Sequence, residues 1–236
     1  MRVLAALLLT ALLLAACQPG TPAATPTPTP TPAELAAAIG RATQQATSLR
    51  FAVTVAGEPV FTDSTRLFAL TAMDGAVQRA DGALATLRVQ SAAGVVEVRT
   101  VSASGRQYIT NPLTRAWQCL APGQSFDPAA LFAQGGGLEG LLQDGLESVE
   151  LLPEEQLAGR PQVHLRGTVE GARIAAVSGG LIGAGPVTAE IWADRETLRA
   201  TRLVLVDAPA GAEPTTWTMT FSGYDEPVEI RAPVEC

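Results

Sequence analysis

The chain has 236 residues, a formal charge of −7 and no lysine, all 16 of its basic residues being arginine. An acidic chain without clustered cations is a poor phosphate neutraliser, so nucleic acid is not an expected partner. One histidine, His164, and three cysteines without a CxxC spacing supply no zinc set, so a metal site is not expected. Residues 1–16 read as a secretory signal: Arg2, an apolar run from Val3, then the small residues Ala15 and Ala16. That run is shorter than the roughly 20 residues that span a membrane.

The signal closes on Leu14-Ala15-Ala16-Cys17, which resembles the lipobox of bacterial lipoproteins. In such proteins the cysteine sulfur receives a diacylglyceryl group and becomes the first residue of the mature chain. Cys17 is therefore the expected lipidation site, and residues 17–32 the tether behind it. Thr-Pro repeats fill residues 25–32, where proline fixes φ and removes amide donors; an extended spacer follows. Export places the remainder where disulfides persist. Cys119 and Cys236 either form one bridge or stay as two free thiols.

Residues 33–236 are expected to form one domain. Residues 33–49 read as a helix, with Leu35, Ile39, Ala42, Ala46 and Leu49 at spacings of three and four and with Pro32 and Glu34 suited to its first turn. From Arg50 the period is two. Extended runs follow at residues 51–55, 66–73, 83–90, 95–102 and 106–110, separated by Gly57, Gly75, Asp81-Gly82, Gly94 and Gly105 as turn signals. Residues 126–131 read as a helix start, with Asp127 as cap and Pro128 in the first turn. Short leucine-rich stripes around Leu131, Leu138 and Leu142 are parted by Gly135, Gly136 and Gly137, the expected hinge. Further strands are expected at 148–152, 162–169, 187–192, 198–206 and 215–222, with a short helix at 172–177. The strand 198–206 is expected to be buried on both sides. The sum is an α+β domain, one large curved antiparallel sheet with several helices on one face.

Chemistry is sparse. Gly135 to Gly140 satisfies G-x-G-x-x-G, but no β-α-β pattern surrounds it. Serine lacks a nucleophile elbow. His164 alternates with Val163 and Leu165 in a strand, the setting of a structural histidine. The chain does not read as an enzyme. Its apolar surplus either fills a core or lines a cavity; Phe51, Val53, Val55, Leu131, Leu138, Leu142, Ile174 and Leu181 are the candidate lining positions.

A family resemblance enters at Phe126-Asp127-Pro128-Ala129-Ala130-Leu131. It continues through Gly137-Leu138-Glu139-Gly140-Leu141-Leu142, Val163-His164-Leu165-Arg166-Gly167-Thr168-Val169, Val187-Thr188-Ala189-Glu190-Ile191-Trp192 and Phe221-Ser222-Gly223-Tyr224-Asp225-Glu226-Pro227-Val228. These segments, in this order, resemble the LppX/LprAFG lipoproteins known from mycobacteria and their relatives. The resemblance implies a half-barrel related in shape to LolA and LolB carriers, with helices on its concave face closing a hydrophobic cavity. It further implies binding of acylated lipids or glycolipids and their movement toward the outer envelope without a cofactor, in some members beside a membrane efflux transporter; the chain itself is expected to be a monomer, held through Cys17 on the extracytoplasmic face of the cell membrane. The competing expectation is an envelope lipoprotein with a filled core that binds a protein partner.

Overall fold

The computed structural model describes residues 29–121, 124–183, 185–209 and 211–236. The signal, Cys17 and the tether as far as residue 28 lie outside them.

Helix α1 (Pro32–Gln44) begins with a capping box. The Thr31 hydroxyl accepts from the Glu34 amide, and the Glu34 carboxylate accepts from the Thr31 amide at 2.8 Å. Those two bonds satisfy amides that the first turn leaves unpaired. They also hold the Glu34 carboxyl below its ordinary pKa. The helix ends five residues earlier than its spacing predicts. Leu49, which continues the helical stripe, also fits the alternation of Phe51 and Val53, and it lies buried in a strand.

The strands are β1 (Ser48–Gly57), β2 (Val60–Phe61), β3 (Ala69–Gln78), β4 (Gly82–Ser91), β5 (Gly94–Ala103), β6 (Arg106–Thr110), β7 (Trp117–Leu120), β8 (Leu146–Leu157), β9 (Arg160–Val169), β10 (Val187–Asp194), β11 (Ala200–Asp207) and β12 (Thr215–Ser222). They form one open antiparallel sheet in the order β7-β6-β5-β4-β3-β1-β12-β11-β10-β9-β8, with β2 beside β3. Two meanders therefore meet where β1 pairs β12, Phe51 opposite Phe221 and Val53 opposite Met219.

This order leaves β7 and β8 at opposite edges, although they are consecutive in sequence. The segment between them must cross from one edge to the other, and its described residues 124–145 lie over the concave face. It carries a 3₁₀ turn (Ala130–Phe132), then α2 (Leu138–Gly140), a single turn that widens into a π turn at Leu141–Gly145. Helix α3 (Gly171–Ser178) follows β9 and completes the cover. The core lies between this cover and the inward rows of the sheet: Leu49, Phe51 and Val53 of β1, Leu87 and Val89 of β4, Leu165 of β9, Ile191 of β10, Leu203 and Leu205 of β11, and Trp217 and Met219 of β12.

Several local expectations shift. Gly75 lies inside β3 rather than in a turn, because a Cβ there would come within 2.6 Å of the Phe51 ring and 2.3 Å of the Leu84 carbonyl oxygen. Residues 66–68 form a loop, in which Asp63 accepts from the Leu67 and Phe68 amides. The expected helix at 126–131 is only the 3₁₀ turn, with Asp127 accepting from the Ala129 amide at 2.8 Å. The short run at 148–152 belongs to the twelve-residue edge strand β8. Strand β11 alternates, its inward side chains buried and Val204 and Val206 half-buried on the other face, so it is not enclosed on both sides.

The convex face has its own cover. Ser222, Arg50, Ala76, Leu84, Val101, Tyr108 and Cys119 are register partners in one row across seven strands. The C-terminal segment after β12 runs toward β7, Val228 and Ile230 packing with Leu84, Val101 and Tyr108. It ends at Cys236, which is disulfide-bonded to Cys119.

Candidate ligand-binding groove

On the concave side, a groove of about 610 Å³ opens between the first meander and the cover. Its floor is Leu87 and Val89 of β4, Val98 of β5 and Ile109 of β6. One wall is Phe126, Asp127 and Ala130 of the crossover, and the other is Ala176, Val177, Gly179 and Leu181 of α3 and its exit. The inward parity of β4 and β5 puts the aliphatic residues in the floor, since alternate side chains share one face of a strand. The rim holds Thr62, Thr110, Asn111, Gln118, Gln124 and Ser125, all neutral hydrogen-bonding groups.

The wall at Phe126 is held by strand side chains. The Gln107 side-chain amide donates to the Ser125 carbonyl at 3.2 Å and to the Phe126 carbonyl at 2.5 Å. Asp127, the one ionisable residue among the described lining residues, accepts from the Ser102 hydroxyl and the Ala129 amide. The groove thus presents hydrocarbon below, amides and hydroxyls above, the Asp127 carboxylate in one wall and, among the described residues, no cation.

Behind the groove lies a smaller apolar void of about 30 Å³, walled by Val53, Met73, Leu131, Leu138, Ile174, Leu205, Trp217 and Met219. Groove and void share Phe126, Val177 and Leu181, so these three side chains are the partition between them. A second void of about 10 Å³ touches Leu138, Leu142 and Ile174. The helices cover the concave face, but the space that they enclose is small in this conformation. The larger apolar space is the open groove at their side.

The expected lining positions divide accordingly. Val53, Leu131, Leu138, Ile174 and Leu181 line the void, Leu181 also the groove, and Leu142 the second void. Phe51 lies outside all three; its ring packs on Phe132 at 5.1 Å, and Phe132 meets Phe221 edge-on at 6.4 Å. Val55 is half-buried against the core. Nothing in the sequence singles out Leu87, Val89, Val98, Ile109 and Trp217 as lining residues. The alternation of β4 and β5 is the available signal for the first three, but it says only that they face inward.

The glycine run is bracketed by one side chain. Arg79, just after β3, donates from Nη1 to the Phe132 carbonyl at 3.1 Å and from Nη2 to Glu139 Oε1 at 2.7 Å. It also donates from Nε to the Ala46 carbonyl at 2.7 Å and from Nη2 to the Thr43 carbonyl. Both flanks of Gly135, Gly136 and Gly137 are thereby tied to the sheet and to the end of α1. Gly135 adopts φ +74° with open space around it, and Gly136 is equally unobstructed, while a Cβ at Gly137 would meet the Leu131 carbonyl oxygen at 2.6 Å. Gly40 of α1 allows close contact as well, since a Cβ there would lie 2.6 Å from the Glu139 carbonyl oxygen.

His164 is far from this chemistry in the fold, because it points to the face opposite Leu165. Its ring stacks on Trp192 at 4.2 Å, with Nδ1 3.2 Å from Glu155 and Nε2 3.3 Å from Glu190. Burial pushes the Glu190 carboxyl up, but Arg166 and His164 outweigh it and hold the pKa below the ordinary value. A concavity of about 670 Å³ on the convex side is walled by Arg160, Arg199, Arg202 and Asp194 among others. Those charges suit a wet surface depression rather than hydrocarbon.

The LppX_LprAFG lipoprotein family model matches residues 31–230. Among solved structures, LprF from Mycobacterium bovis is similar with a TM-score of 0.65 at 17% identity, over 89% of this chain and all of that one. The Mycobacterium tuberculosis lipoprotein LppX is similar with a TM-score of 0.57 at 18% identity, over 84% of this chain and 98% of that one. At these identities the likeness is one of fold. No curated protein matches the chain.

Proposed function

Since the chain belongs to the LppX_LprAFG lipoprotein family, we propose that it is a non-catalytic carrier, anchored through Cys17 on the extracytoplasmic face of the membrane. It takes acylated lipids or glycolipids and passes them toward the outer envelope. The observation that carries this reading is the groove, a 610 Å³ space with an aliphatic floor and a neutral polar rim, divided from an apolar void by three side chains. Each methylene buried there gains about 0.8 kcal/mol, so a long acyl chain binds without a cofactor. The rim amides and hydroxyls suit esters or sugar hydroxyls at the open end. Displacing Phe126, Val177 and Leu181 joins groove to void and lengthens the apolar path. One diacylglyceryl group supplies the two chains that stable anchoring needs, and the Thr-Pro tether gives the domain reach. A membrane efflux transporter is the proposed neighbour, and the carrier acts as a monomer.

The test is native mass spectrometry of residues 29–236 purified from a lipid-rich host. This segment contains the helix cap, every strand and the whole core. Extra mass identified by extraction as one acylated lipid per chain is the expected result. A bare mass that stays bare after incubation with long-chain lipids overturns it.

A second reading is favoured by the small enclosed volume, about 30 Å³ beneath the cover. In it the core is filled and the groove receives an apolar side chain of a protein partner. The same experiment separates the two, since only the carrier acquires lipid mass.

A further inference from the structure

Five large apolar side chains are exposed among the described residues: Leu67, Val95, Leu113, Leu151 and Val234. The first three are 60%, 62% and 84% exposed. Leu67 is in the β2–β3 loop, Val95 follows the β4–β5 turn and Leu113 is in the β6–β7 turn. Because the strands are antiparallel neighbours, these connections leave the sheet at one end. Phe68 and Pro112 line the groove, so Leu67 and Leu113 each adjoin a lining residue in sequence. Val96, next to Val95, pairs with the floor residue Val89. Asp63 accepts from the Leu67 and Phe68 amides, and Asn111 accepts from the Leu113 and Thr114 amides at 2.9 and 3.0 Å, so both leucines stand on held turns. The connections 62–68, 91–94 and 111–116 carry three charges, Asp63, Arg66 and Arg115. Asp63 is engaged within its own loop. Both arginines are exposed, Arg66 lying over the Phe61 ring at 4.4 Å. Among the described residues neither has a carboxylate within ion-pair distance.

We propose that this end of the sheet docks on the surface of an anionic lipid bilayer. Leu67, Val95 and Leu113 enter the headgroup region, and Arg66 and Arg115 meet its phosphates. This rests on the carrier reading and says how cargo enters: an acyl chain passes from the bilayer into the groove without crossing water. Single exposed apolar side chains are ordinary, but three on neighbouring connections beside an apolar groove mark an interaction surface. Apolar tips with adjacent cations suit an anionic interface. The rest of a chain of net charge −7 is repelled by such a surface, so the two free arginines orient the approach. The bilayer is also within reach. Fourteen positions separate Cys17, the expected anchor, from the helix cap Thr31, which allows at most about 50 Å of chain.

The experiment floats residues 29–236, which lack the anchor, with vesicles of phosphatidylcholine alone or with about one-third phosphatidylglycerol. Wild type is expected to bind the anionic vesicles at least about tenfold more tightly, since each cation at the surface is worth about fivefold. Arg66→Gln with Arg115→Gln removes that preference. Leu67→Ser with Leu113→Ser weakens binding to the anionic vesicles at least about tenfold, with an unchanged melting temperature because both side chains lie outside the core. Leu151→Ser, exposed on β8, keeps wild-type binding. A wild type that floats with neither vesicle leaves the patch to a protein partner and overturns the inference. So does a leucine variant that binds like wild type, or a preference that survives the arginine variant. Lipid mass in the native spectrum decides the carrier reading separately. A chain that holds lipid but ignores vesicles fails here alone, and one that binds vesicles but stays bare keeps this surface and loses the cargo.

Discussion

Arg79 Nη2 lies 2.7 Å from Glu139 Oε1, the pair joining the end of β3 to the middle of the cover across 60 residues of sequence. The Glu139 side chain is 2% exposed and that of Arg79 is 14% exposed. Removing the cation strands a buried carboxylate, so Arg79→Ala is expected to cost about 3–5 kcal/mol. Arg79→Met with Glu139→Met is expected to cost clearly less, since no charge is left unpaired. Urea unfolding midpoints of the two variants check this, and equal losses would show that the arginine's carbonyl bonds, rather than the ion pair, dominate.

The Cys119–Cys236 bridge closes a loop with a sequence separation of 117. Loops of this length gain the most from cross-linking, typically about 2–4 kcal/mol. Cys236→Ser is expected to lower stability by that amount and to release the C-terminal segment from Leu84, Val101 and Tyr108. Hydrogen exchange at residues 228–232 reads the release, which adding reductant to the wild type should reproduce.

Ala176 is exposed on α3 where it lines the groove. Ala176→Trp fills the groove from its wall without entering the core. The expected outcome is a loss of lipid loading of at least tenfold with an unchanged melting temperature. Unimpaired loading would move the ligand elsewhere.

Gly75 faces Phe51 across the β1–β3 pair. Ala at this position overlaps the ring and a backbone carbonyl, so Gly75→Ala is expected to destabilise by about 1–3 kcal/mol. Pairing it with Phe51→Leu should recover part of the loss, which a double-mutant cycle measures.

Asp225 accepts from the Thr47 amide at 2.8 Å and pairs with Arg199 at 2.6 Å. The amide first, and the arginine with it, hold its pKa below the ordinary aspartate value. A depressed folded-state pKa means that the contribution is complete above the unfolded value and is lost as pH falls through the folded one. Asp225→Asn should therefore be less stable than wild type at pH 7, with the gap closing below about pH 4. Denaturation midpoints at pH 7 and pH 3 decide it.

Period and punctuation in the sequence determined most of the strands, the start of α1 to within a residue through Pro32 and Glu34, and the pairing of long strands into meanders. These are local properties, because each depends on residues within one turn or one hairpin of each other. Leu49 marks the limit: its spacing fits both a helix and a strand, and only the buried row with Phe51 and Val53 decides between them. Gly75 reads as a turn until Phe51 is seen lying against it. The ordered segments from Phe126 to Val228 pointed to the family, and through it to the half-barrel, without showing where a ligand enters. The groove, the partition at Phe126, Val177 and Leu181 and the Arg79 staple came only from the tertiary structure. Each joins residues tens of positions apart, on strands whose neighbours are set by the sheet order. That order places β7 and β8 at opposite edges and so carries residues 124–145 across the concave face. No local pattern encodes the distance between the crossover and the floor beneath it; the packing of the two meanders sets it.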